Sequence, residues 1–181
     1  MLAAAGEVLE KHGMDGVLVR ELARRAGVSH NAPYRHFPDR ESLLAALAAA
    51  GFARLGRAQQ EAGARGGLRA MGEAYVRFAL AHPQLFRLMF GGRVPIGKHP
   101  ALREVALRAY EGLAGALAAQ VPETHAARDA SLAAWALVHG LALLLLDDRI
   151  AAAARRGRDS ETFVREVLGS VRFVARAAQP A

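Results

Sequence analysis

Apolar positions recur every three or four residues along most of the chain, the period of a helix with one buried face. Leu2, Ala5, Val8 and Leu9 open this pattern, and Gly13 interrupts it. Glycine and proline cut the remainder into about nine predicted helices. A second runs from Val19 to about Ala26, and a short third follows Ser29 and ends near Phe37. Pro38 and the N-cap candidate Asp39 start a long fourth, reaching about Ala62. After a break at Gly63 to Gly67 come Leu68 to Ala81, Gln84 to Phe90, Leu102 to Val121, His125 to about Ala154 and Glu161 to about Ala178.

Composition agrees with an all-α fold, because Ala (41) and Leu (24) far outnumber the strand-favouring Val (13), Ile (2) and Thr (2). With 181 residues, 52% of them hydrophobic, the chain can bury a sizeable core. It has no cysteine, which excludes disulfides, thiolate metal sites and cysteine nucleophiles. The longest uncharged run, Ala130 to Leu146, falls short of the roughly 20 apolar residues of a membrane span and holds Ser131 and His139. It reads as a core or interface helix, and neither a membrane partner nor a secretory leader is expected.

The net charge of +7 invites an anionic partner, yet residues 1 to 50 hold six basic and six acidic side chains. What singles out that segment is a local cluster. Between residues 20 and 40, Arg20, Arg24, Arg25, Arg35 and Arg40 face only Glu21 and Asp39, with His30 and His36 among them. Two short helices around Gly27 form a helix-turn-helix pattern. Ala23, four residues before the glycine, lets the second helix cross closely, and Leu22, Ala26 and Val28 lock the pair. Ser29 is placed to cap a helix whose amino end would enter a major groove.

The run Val19 to Ser29, followed by Tyr34-Arg35-His36-Phe37-Pro38-Asp39-Arg40 and Leu43-Leu44, resembles the amino-terminal domain of TetR-family transcriptional regulators. Further on, Trp135-Ala-Leu-Val-His139-Gly140 resembles the Trp-His-Gly signature of one TetR-like carboxyl-terminal class. The resemblance implies a helix-turn-helix DNA-binding domain at 1–47 and a ligand-binding and dimerisation domain at 48–181. It further implies a cytoplasmic, ligand-responsive repressor acting as a homodimer. In the family the Arg40 position is usually a lysine that contacts phosphate. Two departures stand out: Pro33 replaces a usual leucine and Ala32 a usual threonine, and the sequence opens almost inside the first helix, ahead of which the family commonly carries a basic arm.

The residues support roles of their own. Tyr34 and His36 can donate to phosphate oxygens, and Arg40 can add a charged contact. His30, Asn31 and Arg35 are candidates for base edges, with Asn suited to adenine and Arg to guanine. Pro33 tolerates either Ser29 or Asn31 as the helix cap, and the second choice would occupy Asn31 with backbone. Tyr34 and Phe37, three apart, also suit a simple packing pair.

Residues 51 to 181 assemble no catalytic or metal constellation, and no cofactor is expected. The seven histidines form no i, i+4 pair, and Ser131 with His139 lacks an orienting acid. Bulky Phe78, Phe86, Met89, Phe90, Tyr110, Trp135 and His139 lie among many alanines, a composition that can leave a cavity for a small, largely apolar effector. Ordinary core packing is the competing account of each, and a helical enzyme or an apolar-ligand carrier are the alternative functions. Phe163, Val164, Val167, Leu168, Val171 and Val174 form a stripe on the last helix. The helix before it is apolar around most of its circumference, so a two-fold dimer through the last two helices is expected to cover them.

Overall fold

A computed structural model describes residues 1–25, 27, 34, 36–119 and 124–171, with backbone alone at 25 and 124–127. Among the described residues the fold is all-α, with eight helices and no strand. They are α1 (Leu2–His12), α2 (Val19–Arg25), α3 (Arg40–Ala81), α4 (Pro83–Phe90), α5 (Pro100–Ala118), α6 (Thr124–Leu146), α7 (Ala152–Arg155) and α8 (Ser160–Gly169). The helix expected between Ser29 and Phe37 falls largely outside the described residues.

Two compact units divide these helices. The first comprises residues 1–54 and 82–108. In it α1 packs against α2 and α4, and Leu9, Leu22, Leu43 and Phe86 are fully buried. Gly13 ends α1 at φ +68, a left-handed conformation that costs glycine little. Asp39 caps α3 by accepting from the Ser42 backbone N–H at 2.7 Å. That bond holds the Asp39 carboxyl below its ordinary pKa. The first turn of α4 is capped from a distance: Glu10 accepts from the backbone N–H groups of Gln84 and Leu85, both at 3.1 Å.

The second unit comprises residues 55–81 and 109–181. Leu113, Leu117 and Ala134 form a buried cluster, against which Leu68, Ala130 and Trp135 pack. Asp159 caps α8 through the Thr162 N–H at 2.8 Å.

Three boundaries differ from the sequence expectation. The break placed at Gly63 to Gly67 is confined to Gly66 and Gly67, the latter at φ +66. Gly63 stays helical, and a Cβ there would come within 2.9 Å of Met71. The helix expected to run to Ala154 stops at Leu146, because two carboxylates, Asp147 and Asp148, meet the negative end of its dipole. Asp148 takes a left-handed turn at φ +50, and a short α7 follows. α8 ends at Gly169 rather than continuing to Ala178, and residues 172–181 lie outside the described part.

Candidate functional site

The basic cluster organises around the end of α2. Gly27 has φ +65, as a turn glycine requires, and its N–H donates to the Arg24 carbonyl at 3.2 Å. Ala23 is 1% exposed and Leu22 fully buried. A groove is lined by Leu18, Arg20, Arg24, Tyr34 and Arg40 among others, bringing two of the sequence candidates together with the basic side chains of α2. Tyr34 and His36 are exposed. Ser29, His30, Asn31 and Arg35, the other candidates, lie outside the described residues, as do Ala26, Val28 and Pro33.

Charge in this groove is partly compensated. The Arg24 guanidinium donates to both carboxylate oxygens of Glu21, at 3.0 and 2.8 Å, so this arginine is already paired. Arg40 serves the fold as well. Its Nε donates to the Val17 carbonyl at 3.0 Å and its Nη2 to the Met14 carbonyl, with Asp15 3.6 Å away. A planar fork can bridge two carbonyls in this way, whereas an ammonium is a single point. Arg40 thereby ties the start of α3 to the 3-10 turn at Met14–Gly16.

The seven ligand candidates divide between the two units. Phe86, Met89 and Phe90 belong to the first. There Phe90 meets Phe52 edge-on at 5.1 Å between ring centroids and Phe86 at 4.8 Å. Phe78, Tyr110, Trp135 and His139 belong to the second. Phe78 is buried. Tyr110 meets Trp135 edge-on at 5.9 Å, and Trp135 lies 5.9 Å from the His139 ring.

Tyr75, which the sequence did not single out, completes this second group. Trp135 Nε1, a donor only, reaches the Tyr75 hydroxyl at 3.3 Å, and that hydroxyl lies 2.9 Å from His139 Nδ1. The hydroxyl accepts from the indole and shares a hydrogen bond with Nδ1 whose direction is set by the imidazole tautomer. Burial pushes the Tyr75 pKa up and the His139 pKa down. His82, in the first unit, is also pushed down, by burial and then by the Arg54 charge. Its Nε2 accepts from Arg54 at 2.9 Å.

These two histidines set a pH dependence. Unfolded imidazoles take up protons near the ordinary 6.5, whereas the folded ones resist until lower pH. Between those values the unfolded state binds more protons, and stability falls as pH falls. The melting temperature is expected to drop by a few degrees from pH 7.5 to 5.5. His139→Gln should flatten that slope in thermal scans, and an unchanged slope would show that His139 does not supply it.

Ser131 is 1% exposed, inside the bundle. Among the described residues no group of three or more His, Asp or Glu could hold a metal ion.

Residues 1–47 match the family described as bacterial regulatory proteins, tetR family. Residues 68–171, more than half of the chain, match the tetracyclin repressor-like C-terminal domain. An uncharacterized HTH-type transcriptional regulator of Mycobacterium tuberculosis is 43% identical over 47 residues, 26% of this chain and 25% of the relative. The chain thus spans about a quarter of the length of the curated relatives it matches. A solved structure of a protein with unknown function from Rhodococcus sp. RHA1 is 36% identical, with TM-score 0.76 over 93% of this chain and 90% of that one. The multidrug binding protein EbrR complexed with imidazole is 25% identical, with TM-score 0.60 over 98% and 94% of the two chains. On the strength of both domain matches and a shared all-helical fold, the chain belongs to the tetR family of bacterial regulatory proteins.

Proposed function

We propose that the protein is a homodimeric repressor that binds a near-palindromic operator and is released from it by a small, largely apolar effector. The observation that carries this reading is the outer face of α6. Leu132 and Leu144 are 55% and 47% exposed, and Ala133 and Ala136 are exposed between them. Arg128–Leu146 is long and apolar enough to cross a membrane by length and composition. Its opposite side, however, carries buried Ser131 and the bonded Trp135 and His139, which suits a bundle helix. A second copy is the partner that best covers the outer face, because an isologous contact lets one such face meet another. The apolar stripe of α8 supports the interface less directly, since Phe163, Val164 and Leu168 are buried within the chain.

Pairing would present two recognition elements to successive major grooves, about 34 Å apart. Tyr34, His36 and Arg40 would grip phosphates. Ser29, His30, Asn31 and Arg35 would lie at the groove, the last three reading bases. In the second unit, Phe78, Tyr110, Trp135 and His139 would bound the effector. EbrR, bound to imidazole in its solved structure, supports a small-molecule role. An effector releases DNA only if it binds the released state better, typically by about 1–3 kcal/mol of coupling. Such a regulator works in the cytoplasm, where its DNA is.

Selection of bound sequences from random duplex DNA by the purified chain tests the reading, and it should return inverted half-sites. Affinity for every duplex should fall steeply as salt rises. Tyr34→Phe combined with His36→Ala should weaken binding about tenfold on all sequences, whereas Asn31→Ala or Arg35→Ala should change sequence preference. Should neither kind of variant alter duplex binding in a gel-shift titration, the assigned contacts are wrong.

A further inference from the structure

We infer that the second unit holds a further ligand site at Glu73, a cavity between α3 and α8 that takes a primary ammonium on a short branched hydrocarbon body. Tyr110, Trp135 and His139 do not line it. The site therefore stands apart from the effector group proposed above and does not rest on that reading.

The cavity has a volume of about 200 Å³. α3 supplies Glu73, Val76, Arg77 and Leu80 to its wall, and the start of α8 supplies Glu161 and Val164, all within the second unit. Val76 is fully buried and Val164 5% exposed. A branched hydrocarbon resting on these side chains would leave water for an apolar surface. Since a dry cavity of about 150 Å³ accommodates benzene, this one has room for a ligand of about six non-hydrogen atoms.

Glu73 sets the charge preference. Its side chain is 20% exposed, and its Oε1 is buried with no hydrogen bond among the described residues. Arg69 Nε lies 3.4 Å from that oxygen but out of line for a hydrogen bond, and the Arg69 side chain is 61% exposed. A carboxylate can accept about four hydrogen bonds, and one withdrawn from water without aligned donors is held at a cost. The other charges of the wall compensate one another. Arg77 donates to Glu161 at 3.3 Å, and Arg165 stands 3.8 Å from the same carboxylate. Glu73 is thus the less compensated acid, and an ammonium, with three donors on one small head, suits it. An anion would be repelled there, and a neutral head group would forgo the charge-assisted bond.

Isopentylamine and isopentanol, alike in shape and differing in head group, are the probes. Isothermal titration calorimetry of the full-length protein at neutral pH should show the amine binding roughly tenfold more tightly, the ratio expected for a hydrogen bond to a charged group. Added salt should weaken the amine and spare the alcohol. Glu73→Gln keeps the side chain's shape and should erase the preference, with helical circular dichroism as the control for folding. Arg69→Met removes an exposed competing cation and should tighten the amine a few-fold. If Glu73 served only to pair with Arg69, neither substitution would change the ratio of the two affinities. Leu80→Trp fills the cavity and leaves the carboxylate in place, so both probes should weaken together. Equal binding of the two probes to the native protein, no binding of either, an undiminished preference in Glu73→Gln, or an amine affinity that fails to rise in Arg69→Met would overturn the inference.

Discussion

Leu132→Asp combined with Leu144→Asp is expected to yield a folded monomer whose operator affinity is lower by roughly 10²–10⁴-fold. Both side chains are half-exposed in the single chain, so replacing them removes few contacts on which its folding depends. Facing a second copy across a two-fold axis, each new carboxylate would meet apolar surface and its own symmetry mate, losing hydration without gaining a partner. A monomer offers one half-site reader, and the loss of bivalency accounts for the range given. Sedimentation velocity and an operator titration on the same sample provide the check, with helical circular dichroism as the control for folding. A variant that remains dimeric and binds its operator normally would exclude the α6 face as the interface.

Glu10→Ala is expected to destabilise the first unit by about 3 kcal/mol. The Glu10 carboxylate accepts from two backbone N–H groups at the start of α4, and hydrogen bonds to a charged acceptor contribute about 1.5–3 kcal/mol each. The negative charge also sits at the positive end of the helix dipole. Nothing nearer replaces it, because the N-cap residue His82 makes no side-chain cap bond and its ring accepts from Arg54 instead. Glu10→Gln, which retains an oxygen acceptor without charge, should lose about half as much. Urea unfolding followed by circular dichroism measures both, and a native midpoint in Glu10→Ala would show the cap to be dispensable.

What the sequence revealed and what it concealed follow from how far each interaction reaches along the chain. Caps and turns are local, so Gly13, Gly27 and Asp39 could be read from their neighbours. The helical class followed from composition and period. Glycine was ambiguous in a way that periodicity cannot resolve: Gly63 serves close packing on Met71 inside a helix, and Gly67 serves a left-handed turn, yet both look like interruptions. Tyr75 escaped notice because its partners Trp135 and His139 lie 60 and 64 residues away. Glu10 reaches across 74 residues to Gln84. Gln59, beside Gln60 and Glu61, resembles a solvated stretch, and only the packing of its unit reveals that it is buried. At Arg40 the charge could be read but its partners could not, since backbone carbonyls carry no sequence signal.

The Arg40 fork has a kinetic consequence. By fastening the loop ahead of α2 through the carbonyls of Met14 and Val17, it orders that loop when the polypeptide folds rather than when a duplex arrives. The entropy of ordering is then absent from the encounter. On the DNA-binding reading proposed above, diffusion and charge, rather than a conformational search by this loop, would govern how fast the first unit engages a duplex.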